Sequence, residues 1–404
     1  MSGNTVIGAI EIGTSKVVVL VGEIINGRHL HIIGLGQSTS MGVKKGEIVD
    51  LRAAADCTHA AILSAEKSAG AHIDGVYLAT TGGHLEGFSN SGVVTVEDAS
   101  NWVRKSDLQR AATNAKSKAL PPGRVYIHHI KSGYLLDGRH IQHPLEMQGA
   151  RLEANYWHVH GDERKVADHL HVINGFGLEV EDMVVASIAS GCMVATEEEK
   201  QAGVLVVDIG CGTTDYVLYR QNRIIRTGVI PVGGDHFTND LSLGLRVSYK
   251  HAESLKVRYG KAIVDRVERQ DSVMLVGDLM IGDRPIPRSA IQKILHARSD
   301  ELFVILKNKL GSLLSPQNLP GGVILTGGGS RLEAMDDLAE TVLGVPVRQG
   351  RNPEWVNHEQ LREPEFSGVL GLLYYGLSAQ RQDERAPENA RSGGWISKVT
   401  GIFK

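Results

Sequence analysis

The sequence predicts an α/β fold made of two similar domains that face each other across a cleft, with a smaller domain inserted into the first. Three observations carry this. Strand-like and helix-like segments alternate along the 404 residues, as in layered α/β architectures. One strand–turn–strand–turn–strand unit occurs twice, as EIGTSKVVVLVGEIINGRHLHIIGLGQ from Glu11 and as DIGCGTTDYVLYRQNRIIRTGVIPVGG from Asp208. The stretch from about His84 to His160 breaks that order with polar sequence holding seven of the 17 histidines.

Thr5–Ile12 and Ser15–Ile25 are expected as Val- and Ile-rich strands with Gly13 and Thr14 at the turn between them. His29–Gln37 follows as a third strand after Asn26-Gly27. Leu51–Ala69 carries Ala, Leu and Ile at helical spacing, and Gly70 stops it. Val76–Thr80 is a short strand ended by Thr81-Gly82-Gly83. In the polar stretch, short strands are expected at Val93–Val96 and Arg124–Ile130, with a helix around Ser106–Ala119. His158 and His160 would share one face of a strand. Further ligands at metal-site spacing do not accompany them, so a polar, solvent-facing strand is the expectation. Val166–Asn174 and the small-residue stretch Met183–Ala195 are expected as helices. The second copy of the repeat then begins at Gly203–Val207.

Composition limits the function. Formal net charge is −3, which argues against whole-surface attraction to nucleic acid or acidic lipid. Cys57, Cys192 and Cys211 form no C-x-x-C pair, so neither a disulfide framework nor a zinc module is expected. A reducing cytoplasm is the default. No basic region precedes an apolar stretch at the N-terminus, as a secretory signal would require. Apolar runs such as Val17–Val21 fall far short of the ~18–20 residues that span a bilayer. The 47 glycines exceed the usual share of about 7%.

Where those glycines sit points to a ligand. Gly at the tip of a strand–turn–strand lets backbone N–H groups converge on an anion. Thr14, Ser15, Thr213 and Thr214 add hydroxyls, and Lys16 adds a cation. Asp208 and Asp215 are hard oxygen donors for magnesium, direct or through water. A ligand-free tight hairpin reads the same from one copy alone; two copies in matching positions favour a polyphosphate held between them, and clefts between domains are preferred ligand sites. In Gly321–Glu340 an apolar strand runs into Thr326-Gly327-Gly328-Gly329-Ser330 and then an amphipathic helix. That turn permits close approach of a flat or anionic group with the helix N-terminus behind it. It is neither a Walker loop nor a G-x-G-x-x-G fingerprint.

In this order, these segments resemble the actin / Hsp70 / sugar-kinase superfamily. AIEIGTSKVVVLVGE is similar to its first phosphate motif, VLVVDIGCGTTDYVLY to its second and GGVILTGGGSRL to its adenosine motif. Val185–Ala195 and Phe366–Gly376 resemble its two connecting helices at the hinge. Glu253 and Lys256, in HAESLKVRYG, match the E-x-x-K that contacts adenosine. Within the superfamily the chain resembles the FtsA family of bacterial cell-division proteins, over essentially its whole length. The wording EIGT, the separate domain after Thr81-Gly82-Gly83-His84, AESLKVRYG and FSGVLGLLYYG carry that likeness.

The resemblance implies actin-like, duplicated ribonuclease-H-like domains with an FtsA-type insertion. Subdomain 1A would comprise 1–83, 161–198 and 366–377, and the inserted subdomain 1C 84–160. Subdomain 2A would comprise 199–236 and 302–365, and 2B 237–301. It implies ATP and Mg2+ as ligands. Gly13, Thr14, Ser15, Lys16, Gly210, Gly212, Thr213, Thr214, Gly234, Glu253, Lys256, Gly327, Gly328 and Gly329 would bind nucleotide. Glu11 and Asp208 would hold magnesium, through water where needed, and serve catalysis. Superfamily enzymes usually place Asp where Glu11 stands and Gly where Cys211 stands. Binding with at most weak ATPase activity is therefore the expectation.

The tail completes the reading. Residues 378–392 are polar and expected as a flexible linker. In GGWISKVTGIFK (393–404), Trp395, Ile396, Val399, Ile402 and Phe403 share a helical face, with Lys398 and Lys404 among the rest. A helix this short lies in the membrane interface rather than spanning it, though one docked on the chain's own surface would read alike. The family ends in such a membrane-targeting helix. One copy binds weakly, so attachment would need polymerisation into filaments. The resemblance further implies the FtsZ C-terminal tail as partner, bound at Arg298 and Glu301. It implies self-association, other division proteins on 1C, no nucleic acid, and a peripheral place on the cytoplasmic face of the inner membrane at the septum. The rival expectations are a pilus-assembly relative of actin, lacking the lipid-binding tail, and a small-molecule kinase of the superfamily.

Overall fold

The structure, a computed structural model, describes residues 5–27, 29–264, 271–276, 282–356 and 358–385. The first domain opens with β1 (Thr5–Ile12), β2 (Lys16–Ile25) and β3 (His29–Thr39), an antiparallel meander. A two-strand ribbon, β4 (Val43–Lys44) and β5 (Glu47–Ile48), precedes α1 (Leu51–Ala69). Asp50 caps α1 by accepting from the Ala53 N–H at 3.0 Å, and Gly70 ends it with a left-handed φ of 63°, the conformation that glycine adopts without strain. β6 (Gly75–Thr80) joins β1 in parallel.

The chain then leaves for the inserted domain: β7 (Glu86–Thr95), α2 (Lys105–Lys116), β8 (Arg124–Leu136), β9 (Arg139–Ile141) and β10 (Arg151–Asp162). Its four strands form a sheet in the order β7-β10-β8-β9, with α2 packed on one face through Ala111 and Ala115. The strands outrun the short ones expected around Val93 and Arg124, because β10 pairs along its whole length with both neighbours. His158 and His160 share a face, but that face is buried, not solvent-facing. Their rings both pack against Phe88, tilted to its plane; His129 meets His158 at 2.7 Å, and the Arg124 Nε–H donates to His160 at 2.6 Å. A row of aromatic neighbours buried the pair, which polar alternation alone does not reveal.

α3 (Glu163–Asn174), β11 (Glu179–Val185) and α4 (Ala186–Val194) return the chain to the first sheet. Here the expectation of one helix over Met183–Ala195 is corrected. Met183, Val184 and Val185 are strand, parallel to β6, and the helix starts at Ala186. A buried parallel strand and a buried small-residue helix are both continuous apolar runs, so periodicity does not separate them.

The second domain follows with a short α5 (Glu197–Ala202), β12 (Val204–Ile209), β13 (Thr214–Arg220), β14 (Arg223–Ile230), α6 (Gly234–Leu245) and α7 (Tyr249–Tyr259). It continues with β15 (Ser272–Leu275), β16 (Arg284–Pro287), α8 (Arg288–Leu310), β17 (Val323–Thr326), α9 (Met335–Leu343), β18 (Val347–Gln349) and α10 (Ser367–Arg385). The two five-stranded sheets run β3-β2-β1-β6-β11 and β14-β13-β12-β17-β18. Both are an antiparallel meander extended by two parallel strands, which is the repeat seen in the sequence. β12 explains its unbroken VLVV: Val204 and Val206 pack with the first core, while Leu205, Val207 and Ile209 pack with the second.

α4 and α10 cross between the sheets. A Cβ on Gly371 would lie 1.8 Å from the Ala189 carbonyl oxygen, so the two backbones touch. α10 also corrects the linker expectation: 378–385, the first part of 378–392, is helical. Polar, charged residues there are good helix formers, and the helix's buried first turns, with Val369, Leu370, Leu372 and Leu373, nucleate them. The remainder of that linker and the tail residues Trp395, Ile396, Lys398, Val399, Ile402, Phe403 and Lys404 lie outside the described residues. No helix among the described residues is long and apolar enough to cross a membrane.

Candidate functional site

The two strand-turn loops are built alike. The Gly13 N–H donates to the Lys16 carbonyl at 3.1 Å, and the Gly210 N–H donates to the Thr213 carbonyl at 2.9 Å. The acids preceding them hold equivalent registers: Glu11 faces Val18 on β2, and Asp208 faces Asp215 on β13. The loops converge. A Cβ on Gly212 would lie 2.3 Å from the Thr14 hydroxyl, so glycine is what lets them meet. Ser15 hydrogen-bonds the Cys211 thiol, whose pKa burial pushes up to about 11. Cys211 keeps φ out of the positive range, so the unusual Cβ at this turn is accommodated without strain.

Three carboxylates lie behind the loops. The pKa of Glu11 is pushed up to about 7, by burial first and then by the charge of Asp208. That of Asp215 is pushed up to about 7, again by burial, against the donated hydrogen bonds of Thr81 and Thr213 and with the repulsion of Asp208. Burial pushes Asp208 up to about 6, against a hydrogen bond from Ser190. Anions crowded in low dielectric resist ionisation, and a bound cation relieves that penalty. Among the described residues, no three His, Cys, Asp or Glu side chains cluster tightly enough to hold a metal ion by themselves.

Thr81, at the end of β6, was not expected here. Its Oγ1–H reaches Asp215 Oδ1 at 2.7 Å, joining the two domains directly. Lys16 was expected to face the ligand, but its ammonium pairs with Glu365 at 2.8 Å and sits 4.0 Å above the Phe366 ring. Arg331 holds the same Glu365 at 3.0 Å. Nothing local in sequence marks Thr81 or Glu365, since their partners lie far away along the chain.

The residues matched to adenosine contact form one cluster. The Gly234 N–H donates to the Gly210 carbonyl at 2.9 Å, which seats the start of α6 on the second loop. Lys256 Nζ donates to the Gly234 carbonyl at 3.0 Å and to Thr238 Oγ1 at 2.7 Å, and pairs with Glu253 at 2.7 Å. Thr238 donates to Glu253 as well, and Thr214 Oγ1 donates to the Val232 carbonyl at 2.8 Å. Gly327 takes φ 82° and a Cβ there would fall 2.2 Å from Asp208 Oδ1, while Gly329 backs onto Ile209. A Cβ on Gly328 would meet only the Glu365 Cβ, at 3.7 Å. The α-helix expected straight after these glycines starts later, at Met335, behind a single 3-10 turn over Gly328–Arg331.

Arg298 and Glu301 lie apart from this cleft, on α8. With Asp240, Lys293, Ile294 and Ala297 they line an open groove of about 550 Å³. Arg298 Nε pairs with Asp240 at 2.5 Å and its Nη1 with Glu301.

The sequence profile described as "Cell division protein FtsA" matches residues 205–371, and that described as "SHS2 domain inserted in FTSA" matches residues 82–160. The cell division protein FtsA of Pseudomonas aeruginosa is 34% identical over 386 residues, covering 94% of this chain and 91% of its own. That of Escherichia coli K12 is 31% identical over 412 residues, covering 98% and 96%. Among solved structures, the PilM-PilN type IV pilus biogenesis complex gives a TM-score of 0.64 at 20% identity, covering 92% of this chain and 98% of the other. MreB5 of Spiroplasma citri bound to ADP gives 0.57 at 16%, covering 94% and 99%. At such identities the structures speak for the actin-like fold alone.

Proposed function

This chain belongs to the FtsA family of cell-division proteins, and on that premise we propose that it binds ATP with magnesium in the cleft and ties FtsZ to the cytoplasmic membrane at the septum. The observation that carries the nucleotide reading is the pair of matching turns, Gly13 to Lys16 and Gly210 to Thr213, meeting at Thr14 and Gly212. A polyphosphate bound there brings negative charge that backbone N–H groups and the Thr14, Ser15 and Thr213 hydroxyls are placed to meet. Asp208, Glu11 and Asp215 would hold the magnesium ion that offsets the remaining charge, largely through water. Glu253 and Lys256 would border the nucleoside. Thr81 and the α4–α10 crossing set the angle between domains, so nucleotide bound across the loops would fix that angle and favour filament contacts.

Hydrolysis is expected to be weak. Glu11 carries a longer acid than the usual Asp, which changes the water and magnesium geometry there. The groove at Asp240, Lys293, Arg298 and Glu301 would take the FtsZ C-terminal tail, with charged groups of both signs around apolar Ile294 and Ala297. The inserted domain would receive other division proteins. The terminal helix would supply peripheral attachment, summed over a filament.

Two measurements test this. Full-length protein should co-sediment with anionic liposomes in ATP, and a chain truncated before Gly393 should stay in solution; a truncated chain that still sediments defeats the anchor. Titration with a synthetic FtsZ C-terminal peptide should saturate, and Arg298→Glu should weaken it about tenfold, the loss of one charge-assisted contact. Absence of saturable binding would point instead to a pilus-assembly role for the same fold.

A further inference from the structure

The ribbon of β4 and β5 touches both strand-turn loops and the root of the inserted domain. Its two-residue tip, Lys45 and Gly46, takes φ of 53° and 74°, the tight hairpin in which both central residues are left-handed. The tip rests on both phosphate loops: the Gly46 N–H donates to Thr14 Oγ1 at 3.1 Å, and a Cβ on Gly212 would lie 2.8 Å from Lys45 Cα. The base is fixed to the first loop and to α1. The Ser40 N–H donates to the Ser15 carbonyl at 3.0 Å, and the Val49 and Asp50 N–H groups donate to the Gly42 carbonyl.

The other side of the ribbon grips the root of the inserted domain. Glu47 Oε2 pairs with Lys165 Nζ on α3 at 2.7 Å. The His169 ring, also on α3, hydrogen-bonds the Gly46 backbone. Asp162, the last residue of β10, caps α3 by accepting from the Arg164 and Lys165 N–H groups. The Asp162 N–H donates to His84 Nδ1 at 3.2 Å, and His84 is the entry to the insertion. Entry, exit and ribbon thus meet at one place.

Charge accounting singles out the tip. Lys16 is held by Glu365 and Lys256 by Glu253. Lys45 is a partly exposed cation beside the loops with no ion-pair partner among the described residues. We propose that Lys45 contacts the terminal phosphate of a nucleoside triphosphate held by the two loops, and that Gly46 and Glu47 pass its position through α3 to the root of the inserted domain. The ribbon is then a positioning device linking nucleotide state to the surface that the insertion presents. This rests on the nucleotide reading above.

The test uses the full chain, ATP and ADP titrations, and hydrogen–deuterium exchange. Lys45→Asn removes the charge while tolerating left-handed backbone, and Lys45→Arg restores it. Lys45→Asn should weaken ATP about tenfold and ADP less than about twofold, with Lys45→Arg recovering most of the loss. ATP should slow exchange over 43–48 and 158–165 in the parent protein. Glu47→Gln should keep ATP affinity and the first protection but lose the second. If the parent protein binds neither nucleotide, the cleft reading and this one fall together. If it binds both and Lys45→Asn weakens them equally or not at all, or Glu47→Gln keeps protection at 158–165, this inference alone is overturned.

Discussion

Thr81 donates its hydroxyl to Asp215 at 2.7 Å, and this bond crosses from the residue after the first domain's β6 to the second domain's β13. Thr213 donates to the same carboxylate at 2.9 Å. A buried acceptor that loses a donor keeps its full desolvation cost, about 1–3 kcal/mol. Thr81→Val should therefore destabilise the protein by that order in urea denaturation, and raise the Asp215 pKa further. Thr81→Ser, which keeps the hydroxyl, should stay close to the parent. Equal losses in the two variants would mean that packing of the threonine methyl, not the bond, holds the domains.

The raised carboxylate pKa values predict a pH dependence of definite sign. Glu11, Asp208 and Asp215 are pushed up to about 7, 6 and 7. A carboxyl raised in the fold keeps its proton while the unfolded chain gives it up. The folded state therefore binds more protons, and stability falls as pH rises from the ordinary carboxyl range to about 7. Melting of the nucleotide-free protein should show that decline, and magnesium with ATP should flatten it. Asp208→Asn removes one of the repelling charges. It should raise the melting temperature without nucleotide at pH 7.5 and abolish magnesium-dependent ATP binding. A variant both less stable and still binding would refute the assigned role.

These acids were legible in sequence because the repeat carries its own geometry. Gly13 and Gly210 sit two residues after their acids and make the same turn bond, so local wording was enough. Thr81, Glu365 and Lys45 were not legible as site residues. Their significance lies in contacts with Asp215, Lys16 and Gly212, which only the packed domains bring close. Val185 was misread as helix because burial on both faces erases the period that separates strand from helix. His158 was misread as exposed because its partners Phe88 and His129 arrive on neighbouring strands.

The α4–α10 crossing gives a test of the hinge. Gly371 lies so close to the Ala189 carbonyl that a methyl group has no room, and Ala189, Leu370 and Leu372 around the crossing are buried. Overpacking of this kind costs about 1–3 kcal/mol. Gly371→Ala should lower stability by at least that order, read from denaturant midpoints at unchanged m-value. Gly376→Ala, whose Cβ would meet side-chain atoms of Tyr77 and Ile7 at 2.5–3.1 Å rather than a backbone carbonyl, should cost less. The reverse ranking would mean that the helices separate freely and that the crossing does not fix the domain angle.

The glycines of the third cluster divide by what surrounds them, and that division separates fold from ligand. A Cβ at Gly327 or Gly329 would strike Asp208 or Ile209 at 2.2 and 2.5 Å, whereas one at Gly328 meets only the Glu365 Cβ, at 3.7 Å. Gly328 is also exposed. A large side chain there can leave the backbone undisturbed and occupy the space beside the second loop. Gly328→Trp should keep the melting temperature within about 1 °C, a stability change of about 1 kcal/mol or less for a chain of this length. It should weaken ATP by more than about tenfold, since a filled cleft forfeits the ligand's contacts. Gly329→Trp should instead unfold or aggregate. ATP affinity unchanged in a folded Gly328→Trp protein would move the nucleotide away from Gly13, Gly210 and Gly328 altogether.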